Sequence, residues 1–178
     1  MNRRTFLLAP LGVVVAGAAG VAVLLERDYV PSALPSMLIG KRPPRFRLPA
    51  QPPGPAFSSA DLAAPPRPML VNFFASWCIP CVQEAAMLRH LRQGGMKIWG
   101  IAYKDKPADA AAFLAENGNP YARLDSDLAG TVAINWGVYG VPETYLIDRS
   151  GIVRWRWAGA LTREVVASRL NPLLRRYA

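Results

Sequence analysis

Among the chain's 178 residues are two cysteines, Cys78 and Cys81, three apart in the run Trp77-Cys78-Ile79-Pro80-Cys81. Thiols at that spacing can form a structural bridge, half of a metal site, or a redox pair. A bridge closing so short a loop contributes roughly 2 kcal/mol on loop-entropy grounds, against about 4.7 kcal/mol for one closing a hundred residues. As a staple it is badly placed. Structural zinc needs about four ligands, and His90, the single histidine, falls about 18 Å along any helix that starts near Cys78. Thiol exchange is the chemistry that suits the pair. A thiol at its ordinary pKa is only about 3% ionised at pH 7, whereas one tuned to about 7 is half ionised. Unsatisfied backbone N–H groups at a helix N-terminus supply that tuning. Cys78 is therefore expected to be the exposed nucleophile, and Cys81, one turn inward, the resolving thiol. Cys78 attacks a disulfide, Cys81 breaks the mixed disulfide, and Pro80 restricts the loop between them.

Such a pair has to be delivered by a strand and taken up by a helix. Met69 to Ala75 is an apolar, aromatic run expected as a buried strand. After Cys81, the residues Val82, Ala85, Ala86, Leu88 and Leu91 recur at helical spacing until Gly94-Gly95. Met96 to Ala102 predicts a second strand. Asp105 and Pro107 mark a helix start, with Phe113 and Leu114 on its apolar face and Gly118 at its end. This β-α-β-α order argues for parallel pairing. Tyr121 to Leu124 predicts a short strand, Leu128 to Trp136 includes a helix, and Glu143 to Ile147 is a strand entered through Val141-Pro142. The turn Asp148-Arg149-Ser150-Gly151 returns Ile152 to Ala158 antiparallel. In that last strand Trp155 and Trp157 alternate with Arg154 and Arg156 as on an ordinary half-buried strand. Thr162 is the expected N-cap of the final helix, with Leu161 and Val166 as its hydrophobic staple and Pro172 kinking or splitting it.

Ahead of this domain, residues 69–178, stand two other segments. Arg3 and Arg4 precede an uncharged apolar stretch from Thr5 to Leu25, ended by Glu26-Arg27-Asp28. It is long enough to cross a hydrocarbon core of about 30 Å, and the charge placement holds its N-terminus in the cytoplasm. Residues 1–27 are thus expected to be an uncleaved anchor; a cleaved signal peptide at Ala16-Gly17-Ala18 is the competing reading, and both export the rest. Residues 28–68 are dense in proline and predict a stiff lead-in, with a short edge strand at Arg45 to Leu48 and a helical turn from Ser58 to Ala63. Lys and Arg total 21 against 12 Asp and Glu, but the bases are scattered and no nucleic-acid-binding pattern organises them. A solvated basic surface near anionic lipid is the simpler account.

Trp77-Cys78-Ile79-Pro80-Cys81, about sixty residues ahead of Val141-Pro142, resembles a thioredoxin-fold oxidoreductase. More narrowly, NFFASWCIPC, GIAYKDKP, NPYA and GVYGVPETYLIDRSGIV, behind an anchor and LIGKRPPRFRLPA, resemble the membrane-anchored periplasmic thioredoxins of cytochrome c biogenesis, the DsbE (CcmG) family. The resemblance runs from about residue 36 to the C-terminus. It implies an α/β fold of thioredoxin type, a central mixed sheet flanked by helices, behind one N-terminal transmembrane helix in a bacterial inner membrane. It implies a cis bond before Pro142 that sets the Val141 backbone beside the cysteines, where a partner's extended chain can pair with it. It further implies a reductant for apocytochrome c Cys-x-x-Cys-His thiols, acting directly or through a haem-lyase thiol protein. Electrons would come from a membrane thiol reductase of the DsbD or CcdA kind, with no cofactor beyond the redox-active disulfide.

On the same resemblance, Glu84 and Glu143 are candidates to tune the pair, although Glu84 has the competing reading of a helix-surface carboxylate. Two positions depart from general thioredoxins. Asn72 stands where they place a buried aspartate, so a proton relay to Cys81 cannot use that position. Ala86 stands where a helix proline is usual, predicting a straighter active-site helix. Two other functions fit the same thiols: a general periplasmic oxidase or isomerase, and a copper(I) metallochaperone, for which Met87 and His90 are poorly placed.

Overall fold

A computed structural model describes residues 36–177; the expected anchor, residues 1–27, lies outside the described residues. Among the described residues no helix is long and apolar enough to cross a membrane. Strand β1 (Met69–Phe74) is buried at every position. That follows from its lack of alternation, since a strand apolar on both faces needs cover on both. It sits at the centre of a five-stranded mixed sheet of order β3-β2-β1-β4-β5. Strand β2 (Lys97–Tyr103) pairs parallel with β1, and β3 (Arg123–Asp127) parallel with β2. On the other side β4 (Glu143–Ile147) and β5 (Val153–Ala158) run antiparallel as a hairpin. The Asp148 carboxylate organises the hairpin turn by accepting from the backbone N–H of Ser150 and Ile152.

Helices α1 (Ile79–Gln93) and α2 (Pro107–Asn117) follow β1 and β2, and α3 (Thr131–Trp136) follows β3. The C-terminal helix comes in three consecutive stretches: α4 (Arg163–Val165), a π-helical stretch Val166–Leu170, and α5 (Asn171–Tyr177). Thr162 caps it by accepting from Val165 N, and Leu161 and Val166 are buried in one cluster, as a staple requires. The π stretch ends where Pro172, which has no N–H to donate, enters the helix.

The sheet divides the core in two. On one face Leu70, Phe74, Ile98, Ala102 and Leu146 pack with both cysteines, α1, α2 and the C-terminal helix. On the other, Met69, Val71, Phe73, Trp99, Tyr145 and Ile147 pack with α3 and with Phe57 and Leu62 of the lead-in. Aromatic rings dominate that second face, with Phe57–Trp99, Trp136–Tyr145 and Phe73–Trp136 centroids 4.7, 5.0 and 5.3 Å apart. Each such ring contributes on the order of 1.5–3 kcal/mol through burial.

Several local expectations need correction. From residue 36 the proline-rich segment is part of the domain and not merely a stiff lead-in, because Phe57 and Leu62 are core and Leu38, Phe46 and Leu48 pack against it. Arg45 to Leu48 makes a single bridge, Arg47 to Ser58, rather than a strand. The helical turn there is a short 3-10 helix, Ser59–Leu62. The third strand begins two residues later than Tyr121, at Arg123, and runs past Leu124 to Asp127 because its buried acidic residues find backbone donors: Asp125 accepts from Phe57 N and Asp127 from Ala133 N. The buried stripe of α1 is Cys81, Glu84, Ala85 and Leu88, whereas Val82 and Ala86 face solvent. With Ala86 at a solvent-facing position, α1 runs unbroken for 15 residues. Asp105 does not start α2, whose N-cap is Lys106.

Candidate active site

The two cysteines are joined in a disulfide at the start of α1. Cys78 has extended backbone and is the N-cap, its sulfur accepting from Cys81 N at 3.1 Å. That donor, shared with Cys78 O at 3.1 Å, is one of the first-turn N–H groups without an i−4 partner, so a Cys78 thiolate would meet a fixed partial positive charge. Pro80 occupies the second helical position, where its missing N–H costs nothing. Cys78 is not the exposed residue expected: it is 3% accessible against 2% for Cys81. Its side chain turns into the core cluster, and half-buried Val141 packs against that cluster. The exposed surface beside the pair is apolar instead, with Trp77 58% and Ile79 74% accessible.

Beneath the disulfide lies a buried polar chain with remote contributors. Asn72 faces Gly100 across the β1–β2 register and Thr144 across β1–β4. A side chain at 100 would collide with Tyr121, since a Cβ there would lie 2.8 Å from the ring. The glycine therefore lets the tyrosine lie close enough for its hydroxyl to donate to Asn72 Oδ1 at 2.6 Å. With that oxygen occupied as acceptor, the amide nitrogen gives one hydrogen to Glu84 Oε1 at 2.9 Å and the other to Thr144 Oγ1 at 3.0 Å. The second oxygen of Glu84 accepts from Leu161 N at 3.0 Å.

Glu84 is thus no surface carboxylate: it is 1% accessible, and burial pushes its carboxyl up from 4.5 to about 7, opposed by the Leu161 and Asn72 hydrogen bonds. Among the described residues no cation joins these hydrogen bonds. Lying three residues after Cys81, it is that residue's neighbour on the same helical face. The position also explains Asn72, because an aspartate there would set one carboxylate against another.

Glu143 is equally buried but on the other sheet face, in register with Phe73. Arg156 grips it with two hydrogen bonds, Nε to Oε1 at 2.5 Å and Nη2 to Oε2 at 2.9 Å. The Tyr145 hydroxyl also donates to it. The same guanidinium lies 4.4 Å from the ring centre of Tyr139, so Arg156 holds both ends of the Tyr139–Glu143 segment. Within that segment the Val141–Pro142 bond is cis, and Val141 lies outside the ladder that begins at Glu143. Trp155 and Trp157 are half-buried and stacked on each other at 6.1 Å. Met87 is half-buried against the first core cluster, and His90 is exposed.

Over this geometry, a family model for the AhpC/TSA family matches residues 39–156. The thiol:disulfide interchange protein DsbE of Pseudomonas aeruginosa is 44% identical over 174 residues, covering 96% of this chain and 93% of that protein. This chain belongs to the DsbE family. HelX of Rhodobacter capsulatus, also a thiol:disulfide interchange protein, is 42% identical over 161 residues, 90% of this chain and 91% of that one. DsbE of Escherichia coli is 39% identical over 179 residues, 99% and 97% of the two chains. Among solved structures, a DsbE from Chlorobium tepidum superposes with a TM-score of 0.61 at 26% identity, over 79% of this chain and 97% of that one. The DsbE-family assignment makes the protein a thiol–disulfide oxidoreductase of thioredoxin-like fold.

Two residues of the site went unnoticed in the sequence. Arg156 sits in an alternating strand where residues 154 and 156 would share one face; a register shift opposite Leu146 and Ile147 breaks that phase, and of the two Arg156, in register with Tyr145, is the buried one. Tyr121 falls in the NPYA run that carries the family resemblance, but nothing in its sequence neighbourhood points to Asn72, 49 residues away.

Proposed function

We propose that the protein is the reductant of a cytochrome c maturation system, held by an N-terminal anchor in the bacterial inner membrane with its thiol site in the periplasm. Its client is the Cys-x-x-Cys-His pair of apocytochrome c, or the thiol protein that hands that pair on for haem attachment. The observation that carries the reading is a Cys-x-x-Cys disulfide at a helix N-terminus above a buried Glu84 poised near neutrality, in a chain that matches DsbE proteins over nearly its whole length.

The reduced protein works in two steps. The Cys78 thiolate attacks one sulfur of the client disulfide, forming a mixed disulfide and releasing the other client sulfur as thiolate, which takes up a proton. Glu84 accepts the proton of the Cys81 thiol, and the Cys81 thiolate attacks Cys78 Sγ, closing the intramolecular disulfide and expelling the second client thiol. Two electrons pass to the client. A membrane thiol reductase of the DsbD or CcdA kind then restores the dithiol by the reverse exchange. Val141, outside the sheet ladder, offers backbone to an extended client segment.

The test is a trap. Cys81→Ala leaves the mixed disulfide unresolved, so Cys78 accumulates covalently joined to its partner in cells making c-type cytochromes. Apocytochrome c, its thiol-handling partner or the membrane reductase in the adduct supports the reading; an adduct lacking all three overturns it. A reduction potential near thioredoxin's, about −270 mV, fits a reductant, whereas one near about −120 mV belongs to an oxidase.

A further inference from the structure

Asp105 stands ahead of α2 in sequence, and the structure puts it to another use than starting that helix. Its carboxylate is 2% accessible, at the end of β2, and both oxygens are spent on one residue. Oδ2 accepts from Ser76 N at 2.6 Å and Oδ1 from the Ser76 hydroxyl at 2.8 Å. Ser76 lies two residues before Cys78. The neighbouring Lys104 is the one non-glycine residue with positive φ among the described residues, at 47°. From that left-handed backbone its carbonyl accepts from the Trp77 indole N–H at 3.3 Å, while its own N–H donates to Asp127 O. Both residues that precede the nucleophile are thus gripped by two consecutive residues of a remote loop. Backbone held in a sparsely populated region is characteristic of functional segments.

We propose that Asp105 is a positioning residue for thiol exchange: by taking both donors of Ser76 it fixes the turn that aims Cys78 Sγ at the first-turn amide of α1. Cys78 N donates to Ala75 O across that turn, so residues 75–78 move as a unit. A carboxylate suits the task better than a neutral side chain because it accepts only. Both Ser76 donors are then held in one orientation by short charge-assisted bonds. The N–H donors that would stabilise a Cys78 thiolate act only at short range and good alignment. Freeing Ser76 loosens that alignment even if the fold is unchanged. The proposal rests on the thiol-exchange reading of the pair but on no particular client.

The sign of one measurement decides it, because loss of Asp105 has two opposed effects. Removing a negative charge near the site favours the thiolate, whereas releasing the turn disfavours it. In the full chain carrying Cys81→Ala, so that Cys78 is the single thiol, Asp105→Ala is expected to raise the Cys78 titration, followed by thiolate absorbance, by about one pH unit. Alkylation by iodoacetamide at pH 7 then slows about five-fold. Asp105→Asn, which keeps one acceptor for Ser76 N, and Ser76→Ala, which keeps only the backbone bond, are expected to shift the titration the same way by about half as much or less. An unmoved titration in Asp105→Ala overturns the proposal whatever happens to stability. A downward shift overturns it too, making Asp105 a repelling charge. If Asp105→Ala does not fold, unchanged titrations in both milder variants overturn the proposal. Iodoacetamide needs no protein partner, so this result stands apart from whether apocytochrome c is ever trapped.

Discussion

Two glutamates, Glu84 and Glu143, are fully buried on opposite faces of one sheet, and their surroundings make them different reagents. Glu84 shares the α1 face with the disulfide and is held by an amide side chain and one backbone N–H, without a cation. Its desolvation is left partly uncompensated, so it exchanges a proton near pH 7. Glu143 lies on the opposite face, in register with Phe73, accepting from the Tyr145 hydroxyl and in a two-point ion pair with Arg156. There the charge is matched, and the pair ties the Tyr139–Glu143 segment to β5. Burial alone therefore does not set how a carboxyl behaves; its partners do.

The contrast can be broken from either side. The largest effect is expected from Arg156→Leu, which strands the Glu143 carboxylate without its cation. A loss of about 3–5 kcal/mol is expected from urea unfolding, with much of it restored when Glu143→Gln is added. Equal losses in the single and double variants would mean that packing rather than charge is at stake. Next comes Glu84→Gln. The native state holds the Glu84 proton up to about pH 7, while the unfolded chain releases it near 4.5. Stability from this group is thus full below about 4.5 and is lost as pH rises through about 7, a fall of roughly 3 kcal/mol. Glu84→Gln removes that fall, leaving the similar contribution of Asp125, which burial also pushes to about 7. Unfolding curves at pH 5 and pH 8 measure the difference, and an unchanged pH dependence would refute the assignment. The smallest effect is Thr144→Val, which takes one acceptor from Asn72 and should cost about 1 kcal/mol. A much larger loss would show that Asn72, not Glu84, anchors the chain of hydrogen bonds.

Much of the frame was visible in residue order. β1, α1, β2 and the β4–β5 hairpin were found because their apolar runs and turn residues agree with their final burial. The site's polar interior was less visible for a physical reason: its partners are far apart in sequence. Glu84 receives its hydrogen bonds from Asn72 and from Leu161, 12 and 77 residues away. Apolar spacing alone drew Val82 and Ala86 into the buried face. Yet Cys81, Ala85 and Leu88 already define a helical stripe with Glu84 at its centre. Asp105 shows the same limit, since an acid ahead of a proline ordinarily signals a helix start, and only the folded loop brings it to Ser76. The fingerprint around Val141-Pro142, by contrast, needed no partner to be recognised.

The proline-rich segment has a consequence beyond filling the core. Without it β3 would end the sheet as a bare edge. Residues 49–57 lie along that strand, where Ser126 N donates to Pro49 O, Leu124 N to Pro55 O, and Gln51 N to Leu124 O. Prolines accept but cannot donate, so the covering segment occupies the edge while offering little template for a further strand. A thiol–disulfide oxidoreductase whose sheet edge lay bare would be open to uncontrolled strand addition. The capped β3 edge closes that side of the sheet to an added strand.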